Sequence, residues 1–516
     1  VESLIFIGAL FRIVNLWNIQ DAPNLPAVHY LSEIKDLPPN ETDRPITIDI
    51  FITTINEQEF IVEETIIEAK RQFYPYPDVP IHIYLLDDGK RDGTDIQKEN
   101  FNRLAQRHQI HYLSRETNEG FKAGNLNNGI KNSSGDLFVI LDADSRPFTK
   151  FLYHTTGYFR NKKTAWVQTP QWFKDISSGT SLAKNIEKIF TGNLSFIPNW
   201  YQRICPNVKV GEDILCSSPT IFYDTVLRRK YSNNGVFNCG AGSINRRDAI
   251  LDIANERLKN QGIDRPLEFH ISEDLFNSIL IHSGGNNKWE SSYHPRIECS
   301  MLSPQDLSSW IKQQKRYASG TIDITLSKYN PLFIKGLSFF QRIAYIAVMY
   351  SYITPPLSII LFILPIIYFY LNLTYIDVSA SFLLLFTLYQ LGNILVFKTA
   401  LWGINTKRFD QKFWSSFFYV TQSWIKVIFT RTLSFDVTPK KSISKESHLK
   451  HIIPHLIIII STFIGILLYP FIYKITTNNI LPYLFYSILG IYHIYQLNTF
   501  VRAAFHQPHE DETAIL

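Results

Sequence analysis

Four apolar runs dominate the C-terminal part of the chain: Ile343–Leu373, Val378–Leu401, Ile452–Tyr473 and Ile480–Val501. Each reaches the roughly 20 residues that a helix needs to cross the hydrocarbon of a bilayer. The mean composition, 45% hydrophobic and 19% charged, therefore averages two unlike regions. From Arg44 to Arg342 the chain is mixed and polar, like a globular domain; from Ile343 onward it is mostly apolar. A wholly soluble protein, a disordered chain and a bare channel without cytosolic mass are excluded together. Cys205, Cys216, Cys239 and Cys299 all lie in the polar region, where reduced thiols are expected, so a disulfide scaffold is excluded as well.

Short linkers join the apolar runs into two hairpins, and Pro355, Pro356 and Pro365 are expected to kink or break the first run. Loop 403–451 carries Lys407, Arg408, Lys412, Lys426, Arg431, Lys440, Lys441, Lys445 and Lys450 against Asp410, Asp436 and Glu446. Such a bias places a loop in the cytoplasm, and two hairpins put the polar domain and the tail after Arg502 on the same side. The expectation is a multi-pass plasma-membrane protein embedded in the lipid bilayer, with its polar domain in the cytoplasm. The net charge of +5 does not indicate nucleic acid, because the basic residues lie between apolar spans and in no recognisable binding module. Leu4–Trp17 is apolar but short and reads as the end of a membrane helix that begins before Val1. A cleaved signal peptide is the alternative, although neither a basic leader nor a small-residue cleavage site accompanies the run.

Between residues 46 and 145, strand-like runs (Ile46–Thr53, Ile81–Leu86, Leu137–Leu141) alternate with helical stretches (Val62–Gln72, Asp95–Arg107), which predicts an α/β domain with a mainly parallel sheet. Function in such sheets collects at the carboxyl ends of strands. Two strands end in acids there, Asp87 and Asp88 in IYLLDDG, and Asp142 and Asp144 in FVILDADS. Residues two apart on a strand point the same way, so Asp142 and Asp144 can offer oxygens to one hard cation facing a diphosphate. A solvated strand end and an ordinary Asp-Gly turn are the bland readings of these pairs. Glu273 and Asp274 precede a helix-like segment to about His282, where an acid is either a cap or a general base. Gln313, Arg316 and Tyr317 stand at i, i+3 and i+4 of an amphipathic helix expected to start at Ser303-Pro304, a face suited to phosphate and sugar. The bland reading of that helix is one lying on a lipid interface.

The ordered series TTINE (53–57), DDG (87–89), KAGNLN (122–127), DAD (142–144), QTPQWF (168–173), FNCGAGSINRR (237–247), SED (272–274), QQKRY (313–317) and FDVTPK (435–440) resembles the processive family 2 glycosyltransferases, and within them the cellulose synthase catalytic subunits. The resemblance implies a GT-A glycosyltransferase domain inserted between the transmembrane helices of an α-helical channel. It divides the chain into the end of an N-terminal membrane region (1–20), a cytosolic GT-A domain (44–302), interfacial amphipathic helices (303–341), a membrane hairpin (343–401), a cytosolic interfacial helix and gating loop (403–451), a second hairpin (452–501) and a cytosolic tail (502–516). It also implies UDP-glucose as donor, a growing polysaccharide as acceptor and product, and Mg²⁺ or Mn²⁺ as cofactor. Asp87 or Asp88 would contact the uracil, Asp142 and Asp144 would bind UDP and the metal, and Lys122, Gln313 and Arg316 would hold the donor. Asp274 would be the catalytic base. Tyr317, Cys239, Gly240 and Glu273 would serve the acceptor, while Phe435, Val437, Thr438 and Lys440 would form the gating loop.

Three departures qualify the expectation. The family's Q-x-x-R-W ends here in Tyr317, so a strict β-1,4 linkage is not inherited. Bacterial cellulose synthases continue into a PilZ domain that binds cyclic di-GMP, whereas RAAFHQPHEDETAIL follows the last apolar run here, and independence from that nucleotide is expected. Residues Ile186–Cys216 form an insertion without a family counterpart. The leading expectation is a β-glucan synthase, making either cellulose or a capsular glucan, that also exports its product. A hyaluronan or chitin synthase, a nonprocessive transferase and an inactive export channel are the rivals, and accessory subunits are left open.

Overall fold

The computed structural model describes residues 20–88, 96–175, 178–181, 209–212, 221–285, 288–304, 306–400, 407–430 and 448–504. The apolar run Leu4–Trp17, most of the 186–216 insertion, the tail from residue 505 and the gating-loop residues Phe435, Val437, Thr438 and Lys440 lie outside them.

The polar region opens with alternating strands and helices, as its sequence pattern predicts: β1 (Ile48–Thr54), α1 (Glu59–Lys70), β2 (Ile81–Asp87), α2 (Ile96–His108), β3 (His111–Ser114), α3 (Phe121–Lys131) and β4 (Leu137–Asp142). After β5 (Arg146–Pro147) and the short α4 (Phe151–Thr155) come β6 (Thr164–Gln168), β7 (Gln171–Phe173) and a two-stranded ribbon of β8 (Ser178–Ser181) and β9 (Lys209–Glu212). The domain then adds β10 (Ser243–Arg246), α5 (Arg247–Gln261), α6 (Glu273–Ser283), β11 (Glu290–Tyr293) and β12 (Cys299–Met301).

Seven strands form the main sheet in the order β11-β6-β10-β4-β1-β2-β3. Its pairs are parallel except where β10 runs antiparallel to β4 and β6. Alternation along β1 sends Ile50 and Ile52 to one apolar layer, with Val62, Ile66 and Leu104, and Phe51 to the other, with Leu126, Ile130 and Ile279. A sheet covered on both faces has its free chemistry at its strand ends. The register brings two of those ends together, since Thr54 pairs with Asp87 and Thr53 with Asp142. A smaller sheet, β5-β12-β7, stands beside this edge.

The rest is helical: α7 (Leu307–Leu326), α8 (Phe339–Leu371), α9 (Ala380–Ala400), α10 (Lys407–Ser415), α11 (Phe417–Thr430), α12 (Leu449–Tyr473) and α13 (Ile480–Ala504). All four apolar runs are thus helices, and α8 and α12 are long and apolar enough to cross a membrane by length and composition. In α9 the apolar stretch is Ala380–Leu395, and α13 interrupts its own with Ser487, His493, Gln496 and Thr499.

The prolines of α8 do not break it; the helix runs continuously through Pro355, Pro356 and Pro365. Proline lacks the N–H that would bond the carbonyl four residues back. Pro356 so frees the carbonyl of Tyr352, which accepts instead from the indole N–H of Trp424 on α11 at 2.8 Å. Pro470 in α12 likewise frees the carbonyl of Ile466, which accepts from the Tyr483 hydroxyl of α13 at 3.2 Å. The helix that loses a bond gains a neighbour. The α/β domain docks on α8 through polar contacts: Lys230 donates to the Ala344 carbonyl, Gln341 to the Asn234 carbonyl at 3.0 Å, and His282 pairs with the Tyr345 hydroxyl at 2.8 Å.

Candidate active site

A cleft holding about 170 Å³ of free space opens at the carboxyl ends of β1, β2 and β4 and is closed on one side by α7. Among its walls are Asp88, Lys122, Asp142, Asp144, Cys239, Glu273, Asp274, Gln313, Arg316 and Tyr317, which the sequence analysis had singled out separately. Asp87 is not among them. Its carboxylate accepts from the Tyr112 hydroxyl at 2.8 Å, 1% exposed, behind Asp88.

Asp142 ends β4, but Asp144 lies in the following turn, which corrects the expectation that alternation along a strand aligns the two. The Ser145 backbone N–H donates to the Asp142 carbonyl at 2.9 Å and the Asp142 backbone N–H to the Ser145 hydroxyl at 3.2 Å, which closes the turn. Both acids still face the cleft. Asp142 pairs with the Lys122 ammonium, and Asp144 accepts from the Leu302 N–H at 3.2 Å. Burial alone would lower the Lys122 pKa, yet the charges of Asp142, Glu273 and Asp274 around it raise it, so it stays a cation.

Asp274 sits in the first turn of α6, where the Leu275 N–H donates to its Oδ1 at 2.7 Å. Ser272 is the N-cap residue, so Asp274 is not the cap. Burial raises the pKa of Asp274 against the opposing pull of that hydrogen bond, Lys122 and Arg316, and burial together with Asp274 raises that of Glu273. A carboxylate whose pKa is raised binds a proton more strongly, as a general base requires.

The FNCGAG loop is held opposite this acid by the glutamines of the QTPQWF motif. Gln168 accepts from the Cys239 N–H at 2.7 Å, and Gln171 donates to the carbonyls of Ala241 and Cys239 at 2.8 and 3.3 Å. From the other side, Asn238 accepts from the Gly240 N–H at 2.7 Å, while its own N–H donates to Ser278 of α6 at 2.9 Å. Gly240 has φ +77°, and a Cβ there would stand 3.2 Å from Lys122 Nζ and 3.9 Å from Asp274 Oδ2. A glycine is thus what lets this backbone approach both charged groups.

The helix that carries Gln313, Arg316 and Tyr317 begins at Leu307, not at Ser303-Pro304, because Asp306 caps it by accepting from the Ser309 N–H at 2.7 Å. It reaches the base through Gly320, where an added Cβ would lie 2.0 Å from the Ser272 hydroxyl oxygen. The three side chains share the cleft face, as their spacing predicts. Tyr317 is 39% exposed into the opening, with the Arg316 guanidinium 5.4 Å from its ring centroid.

Two further cleft residues, Glu57 and Asn125, and Arg115, which pairs with the cleft's Asp88, have no role assigned from the sequence. Glu57, from TTINE, accepts from the Thr54 hydroxyl at 2.8 Å and from the Ile55 N–H, and burial pushes its pKa up to about 7. Arg115 pairs with Asp88 and braces the loop before α3 by donating to the Glu119 carbonyl at 2.7 Å. Asn125 donates to the Leu86 carbonyl at 2.8 Å, and its buried side-chain oxygen has no partner among the described residues, an acceptor available to a ligand. The TTINE wording was a signal for Glu57; nothing local marks Arg115.

The fold is a mainly parallel sheet with paired acids at its carboxyl edge, followed by a helical region with two long apolar helices. Residues 49–253 match the model of glycosyl transferase family 2, and residues 221–398 that of glycosyl transferase family group 2. The chain belongs to glycosyltransferase family 2 and is related to bacterial cellulose synthase catalytic subunits. It is 26% identical over 430 residues to the UDP-forming cellulose synthase catalytic subunit of Pseudomonas fluorescens (strain SBW25), covering 81% of this chain and 51% of that protein. It is 27% identical over 450 residues to the UDP-forming cellulose synthase 1 catalytic subunit of Komagataeibacter xylinus, covering 85% and 53%. The chain thus spans about half the length of these two curated relatives. A solved mannosyltransferase from Pyrobaculum calidifontis, in complex with GDP-Man and Mn²⁺, aligns with a TM-score of 0.45 and 14% identity, over 83% of this chain and 98% of that one.

Proposed function

We propose that the protein is a processive, inverting membrane glycosyltransferase that polymerises glucose from UDP-glucose into a β-glucan and passes the polymer across the plasma membrane. One observation carries the reading. Asp274 shares a single cleft with a cationic pair, Lys122 and Arg316, and with the two strand-end acids Asp142 and Asp144. A base, a place for diphosphate charge and an oxygen donor set for a hard cation are what transfer from a nucleotide sugar requires.

In this reading the acceptor's hydroxyl oxygen forms the new bond to the anomeric carbon as the bond from that carbon to UDP breaks. The hydroxyl proton passes to Asp274, and the bonding electron pair leaves with the diphosphate. Lys122, Arg316 and Gln313 hold the leaving group, and Asn125 and Asp88 accept from the nucleoside. Carboxylate oxygens of Asp142 and Asp144 suit Mg²⁺ or Mn²⁺, and both face the cleft, so these two residues would hold it. Such an ion supplies charge neutralisation at the departing diphosphate. Cys239 and Gly240 face the acceptor end, with Tyr317 as the platform for its terminal sugar. The apolar flanks of α8 and α12 support placement in the membrane, and the basic bias of loop 403–451 supports a transferase domain on the cytoplasmic side.

The test is Asp274→Asn, which keeps shape and removes the proton acceptor. Turnover should fall by roughly 10²–10⁴-fold while UDP binding persists. Polymerisation near the wild-type rate would remove Asp274 from the chemistry. Because burial raises its pKa, activity should be lost as pH falls through that raised value, earlier than for an ordinary aspartate.

A further inference from the structure

His154, His294 and Glu298 each offer one donor atom, and the three atoms lie within 4.8 Å of one another. None of these residues lines the cleft. Glu298 Oε1 stands 2.7 Å from His154 Nδ1 and 3.3 Å from His294 Nε2. Ligand bonds of about 2.0–2.2 Å to one ion bring donor atoms to roughly this spacing. The residues come from three separate places: α4, the segment after β11, and the residue that leads into β12. Backbone bonds fix two of them, since the His294 N–H donates to the Gln168 carbonyl at 2.9 Å and the Phe148 N–H to the Glu298 carbonyl at 2.8 Å.

The surroundings match what a metal-bound imidazole needs. His294 is buried, and its other nitrogen, Nδ1, meets the Tyr158 hydroxyl at 3.0 Å, which sets the ring so that Nε2 turns toward Glu298. His154 is partly exposed and leaves one side open for an ion to enter and for water to complete four-coordination. Two imidazoles and one carboxylate favour zinc and its neighbours, whereas the all-oxygen pair Asp142 and Asp144 favours magnesium or manganese. We propose that His154, His294 and Glu298 bind one zinc-class divalent ion, separate from the donor cleft, that ties α4 to the start of β12.

The position gives the ion a purpose. Strand β12 pairs with β5 and β7, and it runs into Met301 and Leu302 in the wall of the cleft, where the Leu302 N–H bonds Asp144. An ion at Glu298 braces the far end of that strand and so the position of a donor-site acid.

The experiment uses the full chain in detergent, stripped with chelator and titrated with cobalt(II) or zinc chloride alone. About one equivalent of cobalt should bind with the strong visible absorption of a four-coordinate centre, and zinc should displace it and raise the unfolding temperature, a shift that Glu298→Gln should lose. His294→Gln and Glu298→Gln should abolish the absorption, Tyr158→Phe should weaken affinity by roughly 10–100-fold, and Asp142→Asn should leave it unchanged. A wild-type protein showing neither absorption nor a zinc-dependent shift would overturn the proposal and leave a His–Glu–His hydrogen-bonded triad. Loss of the absorption in Asp142→Asn, with retention in Glu298→Gln, would overturn it equally.

Discussion

In the α/β domain Phe51, Phe138 and Trp166 are fully buried, whereas in the helical region Phe471, Leu385 and Ile488 point outward with 84%, 67% and 69% exposure. The buried positions of the helices hold Ser423, His455, Thr462, His493, Gln496 and Thr499 alongside their apolar residues. The two regions expose different surfaces, and they pair their backbone groups by different means. In the domain, strands pair with strands, and glutamine and asparagine side chains hold the irregular acceptor loop. In the helical region, tryptophan and tyrosine donors take the carbonyls that proline frees. Where water is absent a freed carbonyl must find a donor in the protein, so the same residue, proline, becomes a docking point.

The sharpest way to break this comparison is to make one substitution in both regions. Ile460→Asp places a carboxylate on the outward flank of α12, at a cost of about 2.5–3.5 kcal/mol if that flank faces lipid, and should deplete protein from carbonate-washed membranes. Phe73→Asp, on an exposed site of the α/β domain, should change stability by less than about 0.5 kcal/mol. Equal membrane recovery of the two variants would reject a lipid-facing α12.

Trp424→Phe tests the proline bonds. It keeps an aromatic ring but strands the Tyr352 carbonyl, so the thermal unfolding of the detergent-purified protein should register a loss of about 1–3 kcal/mol. Unchanged stability would show that the indole contact is incidental.

Glu57 supplies the counterpart within the domain. Its folded pKa of about 7 lies above the 4.5 of an ordinary glutamate, so the folded state holds a proton that the unfolded state releases in between. Its contribution to stability is fully present below the unfolded value and is lost as pH rises through the folded one. Stability should decline by up to about 1.4 kcal/mol for each pH unit across that window, and Glu57→Gln should flatten the decline. A variant with the wild-type pH profile would contradict this assignment.

Tyr317→Phe is the mildest change. The phenol hydroxyl can hold a sugar oxygen, and its loss should alter rate by roughly 2–10-fold or shift the linkage distribution. We expect the wild-type product not to be purely β-1,4-linked; methylation analysis giving only 4-linked glucose in both proteins would reject a role for Tyr317 in seating the acceptor.

Much of the domain was legible in the sequence because buried strands write themselves as short apolar runs, and Asp88, Asp142 and Asp274 follow such runs or open a helix. Periodicity also placed Gln313, Arg316 and Tyr317 on one face. It misassigned Asp144 because the turn depends on the Ser145 side chain, which no alternation rule reads. Arg115 was invisible: its partner Asp88 is 27 positions away, and a lone arginine after a strand has no pattern. The triad of His154, His294 and Glu298 was equally hidden, since 144 residues separate His154 from Glu298. The prolines of α8 announced a kink or a break, and the continuity of the helix follows from a donor on another helix.

The most direct measurement of the central claim is incorporation of labelled sugar by the purified full chain, with magnesium or manganese, from single nucleotide sugars. UDP-glucose alone should yield a β-glucanase-sensitive polymer, and Asp274→Asn should yield almost none. Polymer formed only from UDP-N-acetylglucosamine, or only when UDP-glucuronate is added, would contradict the glucan reading.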